Sequence, residues 1–196
     1  MATLPNRAAA TILLLAVLGG VFAIELAYAA PGNDAMLLRL GALPDSGGLQ
    51  GQYWRLLTFG LLHWNVLHLV LNLAGLLFAG MIVERRSTSL SLVALFFISS
   101  VVSGLAILIK HHFVPQSGVS VGASGGLFGL LGAAIVLLQR LPPRRLAIRL
   151  GLWIVSAAGI AISLVPGVSL VGHVAGLLVG LPAGYLLSAI PAVARR

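Results

Sequence analysis

Ser124 sits in Gly122-Ala123-Ser124-Gly125-Gly126, where one apolar run opens, and His173 sits in Gly172-His173-Val174-Ala175-Gly176, where another opens. A serine hydroxyl is a weak nucleophile until an adjacent base activates it. The flanking glycines let backbone approach closely and take dihedrals that other residues avoid. At the first turn of a helix, unpaired N–H groups and the positive dipole end face a developing oxyanion. Together these groups point to attack on an acyl carbon, as in peptide-bond hydrolysis. Singly, each has a plainer reading. Ser124 is also a good N-cap for a glycine-rich helix, and His173 can simply hydrogen-bond a neighbouring helix.

Something must bring the two together. Gly172, Gly176, Gly180 and Gly184 recur every four residues on one helix face, and Gly125, Gly129 and Ala133 do the same on another. Stripes of small residues let membrane helices approach closely. Ser124 immediately precedes its stripe, and His173 immediately follows the first glycine of its own. Packing the stripes would bring hydroxyl and imidazole to one depth. His68 and Asn72 are four residues apart and share a helix face. Both can donate hydrogen bonds. Asn65 reads as the N-cap that puts His68 in the first turn. Polar groups inside an apolar span are functional candidates; interhelical hydrogen bonding is the alternative.

The rest of the chain is apolar. Of its 196 residues 59% are hydrophobic and 8% charged, against about 25% charged in soluble domains. An integral membrane protein follows. Cysteine is absent, so disulfides and thiolate metal sites are excluded. Six apolar runs are expected to span: about Ala8–Ala30, Val66–Val83, Leu90–Ile109, Ser124–Gln139, Leu146–Val165 and Leu170–Ile190. All approach the ~20 residues a helical span needs except the fourth. At ~1.5 Å per residue that run covers roughly 24 Å, short of a ~30 Å hydrocarbon core. One of its ends is expected to be recessed or to line a cavity.

The net charge of +8 gathers at helix ends, so nucleic acid is not expected as a partner. With the N-terminus inside, the inner segments hold nine basic residues: Arg7, Arg85, Arg86, Arg140, Arg144, Arg145, Arg149, Arg195 and Arg196. The outer segments hold three: Arg39, Arg55 and Lys110. This is the positive-inside pattern. It puts both termini in the cytoplasm and Ser124, His173, His68 and Asn72 toward the outer face. A competing reading of the first run is a signal peptide, with Arg7 before it and Ala27-Tyr28-Ala29 as the cleavage site. The long outer loop from Pro31 to about Asn65 carries Asp45, Gly47-Gly48, Trp54-Arg55 and Trp64. Its tryptophans suit the headgroup region. His63, His111 and His112 read as solvated surface. Glu84, beside Arg85 and Arg86, reads as a structural carboxylate bonding a neighbouring loop or helix end.

Absences narrow the chemistry. There is no H-E-x-x-H, so zinc proteolysis is not expected, and neither metal nor cofactor is. No aspartate lies within a span, which excludes a two-aspartate mechanism. The only carboxylates are Glu25, Asp34, Asp45 and Glu84, and none has an obvious route to His173, with Glu25 the nearest approach. A Ser-His dyad is expected rather than a triad.

The chain resembles the rhomboid family of intramembrane serine proteases. The matching elements are Trp54-Arg55, His68-x-x-x-Asn72, Gly122-x-Ser124-Gly125 and His173-x-x-Gly176-x-x-x-Gly180, in order across roughly residues 50–185. The resemblance implies an all-α bundle of six transmembrane helices around a short central fourth helix. It implies Ser124 as nucleophile, His173 as base, and an oxyanion hole of His68, Asn72 and the Ser124 N–H. It also implies that Phe128 packs against His173. A departure is Ser169-Leu170-Val171-Gly172, which lacks the polar residue and alanine often found before the histidine. The expected protein is then a single membrane domain over 1–196, with its core at about 50–190 and no extra soluble domain. It would cleave transmembrane protein substrates in the bilayer of a bacterial inner membrane, near the outer face. His173 would be oriented by Phe128 and by a neutral hydrogen bond or water. The rival readings are a catalytically silent binder of membrane helices and a small transporter with a polar path through His68, Asn72 and His173.

Overall fold

Asn65 and Thr88 open two long helices by the same device. Asn65 Oδ1 accepts the His68 backbone N–H at 2.8 Å, and Thr88 Oγ1 accepts that of Ser91 at 3.0 Å. Each satisfies a donor that a first helical turn leaves unpaired. The computed structural model describes residues 8–139, 146–164 and 167–189. Its helices are α1 (Ala9–Ala27), α2 (Asp34–Leu40), α3 (Arg55–Thr58), α4 (Val66–Arg86), α5 (Ser89–Phe113), α6 (Ser124–Gln139), α7 (Leu146–Ile162) and α8 (Leu170–Ala189). A 3₁₀ turn at Phe59–Leu61 and two short strands, β1 (Leu43–Pro44) and β2 (Val119–Ser120), complete the elements.

Each of the six apolar runs is helical. Among the described residues four helices, α1, α4, α5 and α8, are long and apolar enough to cross a membrane; the protein is an integral membrane protein. The fourth run is short as expected, 16 residues in α6. The fifth is short too, against expectation: α7 has 17 residues. It closes at Ser163, whose N–H turns back onto the carbonyls of Gly159 and Ile160. Val165 and Ile190, the expected ends of the last two runs, lie outside the described residues, as do Arg7, Arg140, Arg144, Arg145, Arg195 and Arg196 of the charge argument.

Helix α6 occupies the centre. Thirteen of its residues are buried, with α4, α5, α7 and α8 packed around it. A helix apolar on every side needs such a surrounding. Helix α1 packs on α4 and α5 through Ala10, Thr11, Leu14, Leu18 and Phe22. Glu84, at the end of α4, holds its first turn. The carboxylate accepts the N–H of Ala10 and of Thr11 (2.9 Å each), the Thr11 hydroxyl (2.7 Å) and the Ser89 hydroxyl (2.7 Å). Buried charge is tolerated when its acceptor sites are filled in this way, and a helix N-terminus is a favourable neighbour for it. This is the structural role read for Glu84.

The loop between α1 and α4 is folded. Asn33 caps α2 through the Met36 N–H, and Gly41 ends it in the left-handed region at φ +115°. Arg55 ties the loop together, donating to the carbonyls of Leu38 (2.6 Å) and Ala42 (2.8 Å). Trp54 lies under its guanidinium, 4.7 Å from the ring centroid, and keeps an exposed face. Strand β1 pairs antiparallel with β2, Leu43 opposite Ser120 and Pro44 opposite Val119. That pairing joins the loop to the segment leading into Ser124.

Candidate active site

The two glycine stripes meet, residue against residue. A Cβ on Gly176 would strike the Gly125 carbonyl, one on Gly180 the Gly129 carbonyl, and one on Gly184 would lie 2.7 Å from Ala133 Cα. Only hydrogen at these positions lets α6 and α8 come so close. Gly172, the first member of the α8 stripe, departs from this register and faces Ile107 of α5, where an added Cβ would lie 3.0 Å from Cδ1.

At the end of this seam where α6 and α8 begin, Ser124 Oγ and His173 Nε2 are 2.8 Å apart. His173 is buried and Ser124 half-buried. The Phe128 ring stacks on the imidazole, centroids 4.4 Å apart and planes within 15°. The far nitrogen, Nδ1, lies 2.6 Å from Ser163 Oγ. Ser103 of α5 donates to the Gly172 carbonyl at 2.7 Å and fixes the approach to His173.

His68 comes to the same place. Gly122 has φ +133°, and a Cβ there would lie 2.6 Å from His68 Cε1 and 2.8 Å from Nε2. The imidazole thus fills the space that Gly122 leaves beside Ser124. The Gly122 N–H is held by the Phe59 carbonyl at 3.0 Å. Asn72 is buried one turn further along α4, and its amide donates to the His68 carbonyl at 2.9 Å. That bond uses one of the two amide protons.

Glu25 and Asp45, like Glu84, are engaged elsewhere. Both oxygens of Glu25 accept the His63 backbone N–H, at 3.0 and 3.1 Å, so the acid with the nearest expected route to His173 is spent on the segment that precedes α4. Asp45 accepts the Ser120 hydroxyl at 2.7 Å and lies 3.3 Å from His111 Nδ1. Burial raises the Asp45 carboxyl above its ordinary range, opposed by the Ser120 hydrogen bond.

Two histidines correct the expectation of solvated surface. His63 is 0% exposed, with its ring edge-on to His68 at 5.2 Å. Burial, with His68 adding to it, lowers its pKa to about 3, so it is neutral at physiological pH. His111 is buried against Asp45, and only His112 of the three is exposed. Sequence reasoning also missed the serines. Ser103 packs on Gly125, Ser99 on Gly129 and Ser100 on Gly60. Their helical spacing inside an apolar run, Ser99-Ser100-x-x-Ser103-Gly104, was the available signal: a small, polar face turned to a neighbouring helix. Ser163 had no such signal, because it acts alone at a helix end.

A hydroxyl, a buried imidazole and an aromatic prop on a central glycine-rich helix define a polytopic membrane protein with a preassembled Ser-His pair. A family profile described as the Rhomboid domain matches residues 50–190. The chain is 32% identical over 159 residues to RHOMBOID-like protein 6, mitochondrial, of Arabidopsis thaliana, covering 79% of this chain and 50% of that protein. It is 31% identical over 194 residues to Rhomboid protease GlpG of Enterobacter sp. (strain 638), covering 94% and 65%. It is 35% identical over 103 residues to Rhomboid protease GluP of Bacillus subtilis (strain 168), covering 53% and 19%. The chain spans half the length of that Arabidopsis relative. It belongs to the rhomboid family, as its motifs led one to expect.

Proposed function

We propose that this chain is an intramembrane serine endopeptidase with a Ser124–His173 dyad. The observation that carries the reading is the 2.8 Å contact from Ser124 Oγ to His173 Nε2, between two helices whose backbones touch. His173 Nε2 takes the hydroxyl proton as Ser124 Oγ attacks the scissile carbonyl carbon. The carbonyl oxygen becomes the oxyanion, met by the Ser124 N–H, His68 and the free amide proton of Asn72. His173 then gives its proton to the leaving amine, and the C–N bond breaks. Water, deprotonated by His173, attacks the acyl-serine and restores Ser124. Gly122, Gly125, Phe128, Gly176 and Gly180 support this geometry, and Trp54 and Arg55 order the interfacial loop.

The substrate is a transmembrane segment entering from the bilayer, a bacterial inner membrane, and cut near the outer face. All six apolar helices span, with both termini cytoplasmic. A helical peptide bond is shielded by its own hydrogen bonds, so segments with glycine or proline open more readily. A small side chain at the cut suits a cleft lined with glycine.

Fluorophosphonate labelling of the purified protein tests the reading. Wild type is expected to label at Ser124 alone, and folded Ser124→Ala and His173→Ala variants to lose labelling and cleavage together. A folded wild type that does not label, or a variant that keeps more than a few per cent of turnover, overturns it.

A further inference from the structure

The dyad lacks a carboxylate, yet the second nitrogen of His173 is not idle. Ser163, one residue past the end of α7, brings its Oγ to 2.6 Å from Nδ1. The same hydroxyl donates to the Gly159 carbonyl at 2.9 Å. A serine hydroxyl has one proton and two lone pairs. With that proton given to Gly159, an arrangement open to any serine four residues past a helical carbonyl, Ser163 can only accept at Nδ1. The Gly159 carbonyl also faces the ring, and it too can only accept. Nδ1 therefore carries the imidazole proton, and the lone pair of Nε2 faces Ser124. The other tautomer would place an N–H on Nε2, leave Ser124 without a base, and set two acceptors against a third.

We propose that Ser163 is a positioning residue that fixes His173 in its base-competent tautomer, the task a carboxylate performs in a triad. The inference rests on the dyad reading for its catalytic meaning, while the tautomer itself is a property of the ring. A neutral acceptor orients the imidazole but stabilises the imidazolium less than a carboxylate does. The effect of its loss is accordingly smaller than the ~10⁴ seen when a triad carboxylate is neutralised. Three helices then meet at one imidazole: α6 through Ser124 and Phe128, α8 through His173 itself, and α7 through Ser163.

Nitrogen-15 NMR of histidine-labelled protein in micelles reads the tautomer directly, beside kinetics and thermal unfolding. Wild type is expected to show His173 protonated on Nδ1. Ser163→Ala should give a tautomer mixture and about tenfold lower kcat at similar KM, the loss of the hydrogen bond to the ring, with at most a small fall in unfolding midpoint from the lost bond to Gly159. Ser163→Thr, which keeps the hydroxyl, should restore both. An unaltered tautomer in Ser163→Ala would show that the Gly159 carbonyl suffices and would overturn the proposal. So would a fall in kcat with no change in the ring, which belongs to a merely structural residue. If Ser163→Ala does not fold, Ser163→Cys replaces it, since a thiol is a weak acceptor; a spectrum equal to wild type overturns the proposal there too. A tautomer shift in a protein whose wild type never labels at Ser124 would uphold Ser163 and defeat the dyad.

Discussion

Helices α8 and α7 both flank α6, and they hold it in opposite ways. The α8 seam is backbone on backbone, with Gly176 against the Gly125 carbonyl and Gly180 against that of Gly129. No rotamer can adjust such a contact. Helix α7 buries only Leu152 and Ser156. Between α7 and α8 lies an open apolar cleft of about 420 Å³, bordered by Trp153, Ile160, Leu170 and Leu177. Near the site Gly159 of α7 lies against the Phe128 ring, and Ser163, just past its end, reaches His173. The Ser124–His173 distance is therefore set by the rigid seam, and the orientation of the ring by the end of a loosely packed helix.

The largest test of this contrast is Gly180→Leu. The side chain has nowhere to go but into α6, so the seam should open. Loss of fluorophosphonate labelling is expected, with destabilisation of more than about 3 kcal/mol, above the usual cost of overpacking, read as a fall in unfolding midpoint. A stable, labelled Gly180→Leu protein would mean that the seam does not set the site. Gly159→Ala is the matching change on α7. Its Cβ would lie 2.6 Å from Phe128 Cζ and push the ring that stacks on His173. A fall of about tenfold in kcat is expected, with only about 1 kcal/mol of stability lost; equal damage to stability and rate by this variant and by Gly180→Leu would erase the distinction.

The smallest effect belongs to His63, which touches neither seam nor α7. Its folded pKa of about 3 lies below the ordinary 6.5. As pH falls below about 6.5 the unfolded chain takes up a proton that the folded protein refuses until about 3, so stability drops as pH falls through that window. His63→Gln removes this linkage. Its unfolding midpoint should fall less than that of wild type between about pH 7 and pH 5, and parallel curves would show that His63 is not buried neutral.

What could be read from sequence depended on whether a signal was local. The glycine stripes announce both their helices and their partner, because a four-residue repeat of small residues has one use in an apolar helix. Asn65 and Glu84 were legible because capping is a short-range device and a charge at a span end needs donors. His63 was misread because its neighbours in sequence sit at an interface, while its burial comes from Glu25 pulling its backbone inward across 38 residues. Ser163 and the Asp45–Ser120 bond were invisible for the same reason: a lone hydroxyl acquires its meaning from what the fold puts opposite. The short α7 was overestimated because hydropathy continues through Ser163 and Leu164 while the helix does not.

Helix α6 is enclosed by its neighbours, and this separates the site from the thickness of the membrane. A lipid-facing helix of roughly 24 Å in a ~30 Å core would tilt, or would thin the bilayer around itself, and would respond to each change of lipid. With thirteen of its residues buried in protein, α6 meets almost no acyl chain. Thicker or thinner bilayers press on the flanks of α1, α4 and α5, and the depth of Ser124 is fixed by the protein that surrounds it.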